Sequence, residues 1–292
     1  MVYLIDASVF VFRAWYSIPP DKTDPERNPV NALYGFCRFL GDFLEQERPR
    51  VVAVAFDENR GERCVRTAIY PAYKANREPA PPELRQQFAR CRAVTRALGL
   101  ADLADGCFEA DDLIAAAAAR ARAAGESVTI LSRDKDLAQV LQPGDVLWDY
   151  PAGRRVTYEQ VPEVYGVRAE QIADFLALTG DAVDNIPGVR GVGPKTAAAL
   201  LRHFDSVEAI YADLEAVARL AIRSAPALPG KLREHRETVA VARQLTQVRY
   251  DAPLPEDEAA LLRRAPDLAA LATLYDAAGF GQALRRQAAR LA

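Results

Sequence analysis

Histidine is almost missing from this 292-residue chain, which carries only His203 and His235. A histidine-based metal centre or a Ser-His-Asp triad is all but excluded, so acid–base or metal chemistry must run on carboxylates. Cysteine is scarce as well. Cys37, Cys64, Cys91 and Cys107 are scattered, with no pair at metal-binding or redox spacing, and read as ordinary thiols. No apolar run approaches the ~20 residues that span a bilayer. The longest block, residues 113–119, is alanine-rich, with acids before it and arginines after it. Met1 leads straight into Val2 with no basic or hydrophobic leader, so a soluble, cytoplasmic protein with no membrane partner is expected. Lysine is confined to Lys22, Lys74, Lys135, Lys195 and Lys231 in an arginine-rich chain. The net charge of −3 gives no global sign of nucleic-acid binding, but charge is segregated. Residues 60–92 hold eight basic side chains and three acidic ones, a local net of +5.

Half of the residues are hydrophobic, enough for a sizeable core in one large domain or two smaller ones. Residues 2–5 and 51–56 read as buried strands. Between them, Leu33, Phe36, Cys37, Leu40, Phe43 and Leu44 have helical spacing, which completes a parallel crossover unit. Residues 127–131 form a third buried strand and 146–148 a further one. Helices are predicted over 83–98, 109–124, 169–178, 195–203, 207–212, 232–248 and 268–278. Residues 59–82 lack periodicity and read as a long, partly mobile basic segment. A sheet-containing half passes into a helical half near 155–165.

Parallel strands present their carboxyl ends at one edge, where open α/β sheets place ligands. Asp6, Asp57 and Asp134 follow the three buried strands and should meet there. Glu109, Asp111 and Asp112 open a helix, and Asp136, Asp181 and Asp184 lie in turns or at helix starts. Each acid has a local explanation, since carboxylates cap helix N-termini and form turns. Crowded together they would repel one another and lose water, which dications remedy. Oxygen ligands without histidine or thiolate favour Mg²⁺ or Mn²⁺, and this many acids suit two ions. Such a pair about 3.5–4 Å apart supports phosphodiester cleavage. Gly188, Gly191 and Gly193 precede Lys195 and Thr196, so backbone N–H groups and a helix N-terminus can approach a phosphate. The spacing is not that of a P-loop, and the strand that opens a dinucleotide site is missing. A helix–hairpin–helix grip on duplex DNA and a plain turn between helices both fit.

Seven stretches occur in an order that resembles the flap endonuclease-like 5′→3′ exonucleases. They are Leu4-Ile5-Asp6, Val54-Ala55-Phe56-Asp57, Tyr73-Lys74-Ala75-Asn76-Arg77, Glu109-Ala110-Asp111-Asp112, Ser132-Arg133-Asp134-Lys135-Asp136, residues 178–188 and residues 191–197. The bacterial members, namely the N-terminal nuclease domain of DNA polymerase I and its stand-alone relatives, are the most similar. The resemblance implies a PIN-like, Rossmann-like α/β fold with a mostly parallel sheet flanked by helices. It implies a nuclease core over 1–160 with a helical arch at about 59–98. A helical DNA-binding region would occupy 161–292, with a helix–three-turn–helix at about 171–204, and Gly279-Phe280-Gly281 looks like the family's closing helix.

Carried over by the same resemblance, Asp6, Asp57, Glu109 and Asp111 hold a first metal. Asp134, Asp136, Asp181 and Asp184 serve a second, with Asp112 nearby. Lys74 and Arg77 act on the reacting phosphate, and Arg13 and Arg66 lie close to it. Tyr73 either stacks on a base or packs within the arch. Gly188, Gly191, Gly193, Lys195 and Thr196 grip duplex phosphates, and backbone carbonyls there hold K⁺. The implied activity is hydrolysis of DNA at 5′ flaps, gaps, nicks or recessed 5′ ends, leaving 5′-phosphates, in replication or repair. A monomer at the bacterial nucleoid, working alongside a polymerase or ligase, is the expected setting. Two departures favour the stand-alone branch. Ala7-Ser8-Val9 follow Asp6 where polymerase-linked members carry glycine and histidine, and Glu78 stands beside Arg77. Two rivals remain. A non-catalytic DNA-structure binder would not need nine acids, and a PIN-type ribonuclease would not need the helical DNA grip.

Overall fold

The computed structural model describes residues 1–58, 64–222 and 224–292. Six strands, β1 (Val2–Asp6), β2 (Val51–Asp57), β3 (Ala101–Asp105), β4 (Val128–Leu131), β5 (Val146–Asp149) and β6 (Arg154–Thr157), form one sheet in the order β3-β2-β1-β4-β5-β6. The first five are parallel to their neighbours, and β6 closes the edge antiparallel to β5. Register runs from Val2 opposite Val51 to Asp6 opposite Ala55, with Val2 also opposite Val128. The acid-bearing ends of β1 and β2 therefore lie side by side.

Side chains alternate between two layers, as strand geometry requires. Ile5, Val52, Val54 and Phe56 face α1 (Ala7–Ser17), α2 (Asn31–Glu47) and, beyond the short α3 (Val65–Ile69), the longer α4 (Pro82–Ala97). Leu4, Ala53, Ala55 and Ile130 face α5 (Ala110–Ala123). The alanine run at 115–119 in the middle of α5 has small volume and lets the helix lie directly on β1 and β2. In the second half follow α6 (Val161–Tyr165), α7 (Ile172–Thr179), α8 (Pro194–His203), α9 (Val207–Ala212), α10 (Leu214–Ala218), α11 (Leu228–Glu234), α12 (Arg236–Thr246), α13 (Leu268–Ala277) and α14 (Gln282–Arg290). α7 packs on α8 and α12, and α12 reaches α3. α13 and α14 return to cover α4 and α2. Among the described residues, no helix is long and apolar enough to cross a membrane.

Several expectations change. The expected arch takes in α4, but Leu84, Gln87, Cys91 and Val94 bury one face of that helix against α2, so it belongs to the core. Residues 59–63 lie outside the described residues. The helix expected over 232–248 breaks at His235 into α11 and α12. Gly279-Phe280-Gly281 is the turn between α13 and α14, with Gly279 left-handed at φ 65°.

Candidate active site

Asp6 ends β1 and caps α1, accepting the Ser8 N–H at 3.1 Å and the Ser132 hydroxyl at 2.9 Å. Beside it Asp57 ends β2, accepting the Ser8 hydroxyl at 2.9 Å and the Ala110 N–H at 2.8 Å. Glu109 and Asp111 stand at the start of α5, where the helix dipole favours negative charge. Asp134 follows β4 and accepts the Asp136 N–H at 2.9 Å. The remaining pair arrives from the helical half. Gly180, left-handed at φ 73°, meets Gly188 so closely that a Cβ on Gly188 would lie 2.3 Å from the Gly180 nitrogen. That contact pinches the α7–α8 connection into a loop, closed by paired Asp181–Ile186 backbone bonds of 2.9 and 2.7 Å. Three further bonds latch the loop to residues 72–77. Lys74 N–H donates to the Asp184 carbonyl at 2.9 Å, Asn185 Nδ2 to Ala72 at 2.7 Å, and Asn76 Nδ2 to Ala182 at 2.9 Å.

The electrostatics follow from this crowding. Burial raises the Asp6 carboxyl to about 7, and the charges of Asp57 and Asp134 add to the rise. Burial also lifts Asp111 well above the usual range, helped by Asp134, Asp6, Asp57 and Glu109. Asp136 rises to about 7 through burial and Asp134, with Asp181 and Asp184 contributing. Its Oδ1 is buried without a hydrogen-bond partner among the described residues. Desolvation, then the charges of Asp184 and Asp181, raise Asp134 too, and Asp134 in turn acts on Asp6, so it stands between the two acid groups. Glu109 behaves oppositely. Burial would raise it, but Lys74 and Arg66 hold it below the ordinary value. Lys74 Nζ lies 2.7 Å from Glu109 and 3.7 Å from Asp184. Among the described residues, no three acids are drawn together tightly enough to clasp an ion as they stand. Asp57 is held by Ser8 and Ala110, and Glu109 by Lys74 and Tyr73. The donor set still fits a hard dication. It is all oxygen, and it includes a buried carboxylate atom with no hydrogen-bond partner among the described residues. Asp6, Asp111, Asp134 and Asp136 are crowded and desolvated enough to be raised above the ordinary carboxylate range, a strain that a dication relieves.

Three expected site residues have other work. Asp112 is fully buried in a two-pronged ion pair with Arg66 (2.7 and 2.8 Å), and also accepts the Glu109 and Arg249 N–H groups. Its oxygens face protein rather than an ion. Arg66 is likewise buried, donating to the Leu245 and Gln247 carbonyls, and so does not face DNA. It ties α3 and α5 to the end of α12. Tyr73 is buried with its hydroxyl on Glu109 at 3.0 Å and Asp184 at 3.3 Å, so its ring is not open to a base. Arg77 is exposed and paired with Asp184, whereas Arg13 lines an open groove between α1 and α2. Gly191, Gly193 and Lys195 are exposed at the start of α8 with Thr196 half-buried, while Gly188 serves the contact with Gly180. Sequence reasoning overlooked Ser8 and Ser132, the hydroxyls that hold Asp57 and Asp6. Their spacing, two residues from Asp6 and from Asp134, is the usable signal, because short polar side chains bond the backbone two residues away.

The match of residues 1–166 is to the family model for the 5′-3′ exonuclease N-terminal resolvase-like domain, and that of 167–269 to the model for the 5′-3′ exonuclease C-terminal SAM fold. A 5′-3′ exonuclease of Aquifex aeolicus is 40% identical over 215 residues, 73% of each chain. DNA polymerase I of Rhizobium leguminosarum is 38% identical over 275 residues, covering 89% of this chain and 26% of the polymerase. The chain thus spans about a quarter to a third of the polymerases it matches. T5 5′-exonuclease, solved with zinc bound, shares the fold with a TM-score of 0.67 at 18% identity, over 99% of this chain and 97% of that one. With both domain models matched in succession, this chain belongs to the 5′-3′ exonuclease family.

Proposed function

We propose that the chain is a dication-dependent 5′ nuclease that hydrolyses DNA at flaps, gaps, nicks or recessed 5′ ends. The observation that carries this reading is the convergence of acids from both halves at one sheet edge, where burial and mutual repulsion push Asp6, Asp111 and Asp136 above the ordinary carboxylate range. Asp6, Asp57, Glu109 and Asp111 would hold one ion and Asp136, Asp181 and Asp184 another, with Asp134 between them. Mg²⁺ or Mn²⁺ bound there would supply an activated water and stabilise the leaving oxygen. Lys74 and Arg77, at the rim, neutralise charge gathering on the scissile phosphate. Ser8 and Ser132 hold the Asp57 and Asp6 carboxylates at the ends of β2 and β1. Water adds to phosphorus and the P–O3′ bond breaks, leaving a 5′-phosphate on one product and a 3′-hydroxyl on the other. The glycine turn at the start of α8 would hold the duplex, and its backbone carbonyls are the donors for K⁺.

The test is an end-labelled 5′-flap substrate under titration with Mg²⁺ and Mn²⁺, with K⁺ exchanged for Na⁺ in a parallel series. Cleavage near the branch with a 5′-phosphate is expected. Binding without hydrolysis of any flap, gap or nick would leave only a DNA-structure binder. Preference for an RNA 5′ strand over DNA would shift the substrate class.

A further inference from the structure

Around the turn between α7 and α8, a group of hydrogen-bond donors has no partner among the described residues. The N–H groups of Arg190, Gly191, Gly193 and Lys195 make no backbone hydrogen bond among the described residues. Gly193, the N-cap of α8, supplies no side-chain cap. Over this turn lies a cation from elsewhere in the chain. A Cβ on Gly191, left-handed at φ 80°, would lie 2.6 Å from Lys231 Nζ, so the ammonium rests on the glycine itself. No carboxylate pairs with Lys231 among the described residues. The helix that carries it is set by packing. Leu228 and Leu232 of α11 are fully buried, and the Tyr211 hydroxyl donates to the Leu232 carbonyl at 2.9 Å. Lys231 thus starts from a fixed backbone, and its Nζ reaches the turn at Gly191.

We propose that Lys231 is a DNA-phosphate contact, which adds its charge to the free N–H groups of the glycine turn and fixes where the duplex backbone sits. Without a Cβ at residue 191, the ammonium and the backbone donors can share one phosphate. Arg190 and Lys195, both exposed, flank it. This rests on the nuclease reading for its ligand, but it concerns duplex holding and not hydrolysis.

The probe is a fluorescein-labelled 30-base-pair DNA duplex, bound in EDTA between 50 and 200 mM NaCl. Lys231→Gln should weaken binding about 3- to 10-fold for any sequence and lower the slope of log affinity against log salt by about one. Lys231→Arg should restore most of both. In flap cleavage, the Gln variant should raise the half-saturating DNA concentration more than it lowers the maximal rate. Wild-type affinity and slope in Lys231→Gln would overturn the proposal, as would an affinity loss accompanied by a lowered melting temperature that Lys231→Arg shares. Wild-type protein that binds duplex through Lys231 but cleaves nothing would sink the nuclease reading and leave this contact standing.

Discussion

At the scale of single residues, two of the aspartates expected at the metal site have opposite energetics. Asp112 balances the buried Arg66 guanidinium, so Asp112→Asn strands a charge and should cost about 3–5 kcal/mol of stability, read by urea unfolding. Among the described residues Asp136 has no ion pair within 4 Å, only the more distant charge of Lys135 opposing its acidic neighbours, and one of its oxygens is unbonded. Asp136→Asn should therefore leave the ion-free protein as stable or more stable at pH 8 while reducing flap cleavage at least about 100-fold. A destabilised, active Asp136→Asn variant would contradict this assignment. Lys74 bridges Glu109 and Asp184 from a left-handed backbone position, φ 55°. Lys74→Ala should lower the single-turnover rate by about 10²–10³-fold. The sequence shows why these roles were hard to separate. Arg66 sits among other arginines and Asp112 beside Asp111, and nothing in residue type distinguishes a side chain that turns inward.

Elements were legible where periodicity was clean and obscure where it was not. β1, β2 and β4 are near-continuous apolar runs ending in or near an acid, so their shared edge could be foretold. α1 went unassigned because Val9, Phe10, Val11, Phe12, Trp15 and Tyr16 blur any helical stripe. β3, which reads Ala-Asp-Leu-Ala-Asp, has no β-branched residue, and β6 is a short polar edge strand. The glycines of the α7–α8 connection were visible, but not that Gly188 is needed for close approach to Gly180. Gly188→Ala would force backbones apart at the base of the Asp181–Asp184 loop. It should cost about 1–3 kcal/mol, the usual range for overpacking, and reduce cleavage more than duplex binding. Equal losses in both would instead place Gly188 at the DNA surface.

For the whole molecule, the crowded acids link stability to pH and ions. Asp6 and Asp136 hold protons up to about 7 when folded and to about 4 when unfolded. Between those values the folded state binds more protons, so their stabilising contribution is full at the acid end and is lost as pH rises through 7. Dications replace those protons. The ion-free melting temperature of wild type should therefore fall between pH 5 and pH 8 more than that of Asp136→Asn. MgCl₂ should raise it more at pH 8 than at pH 5, and equal shifts at both pH values would refute the linkage.

The far end of the molecule has a practical use. α14 lies along α2, with Gln287 bonded to Asp42 and Arg290 to Glu45, near where α2 turns into the amino end of β2. A peptide tag or surface tether joined after Ala292 would thus leave from the pole opposite the carboxylates. Protein immobilised in this way should present its acid face to the solution and process substrates as readily as the free form.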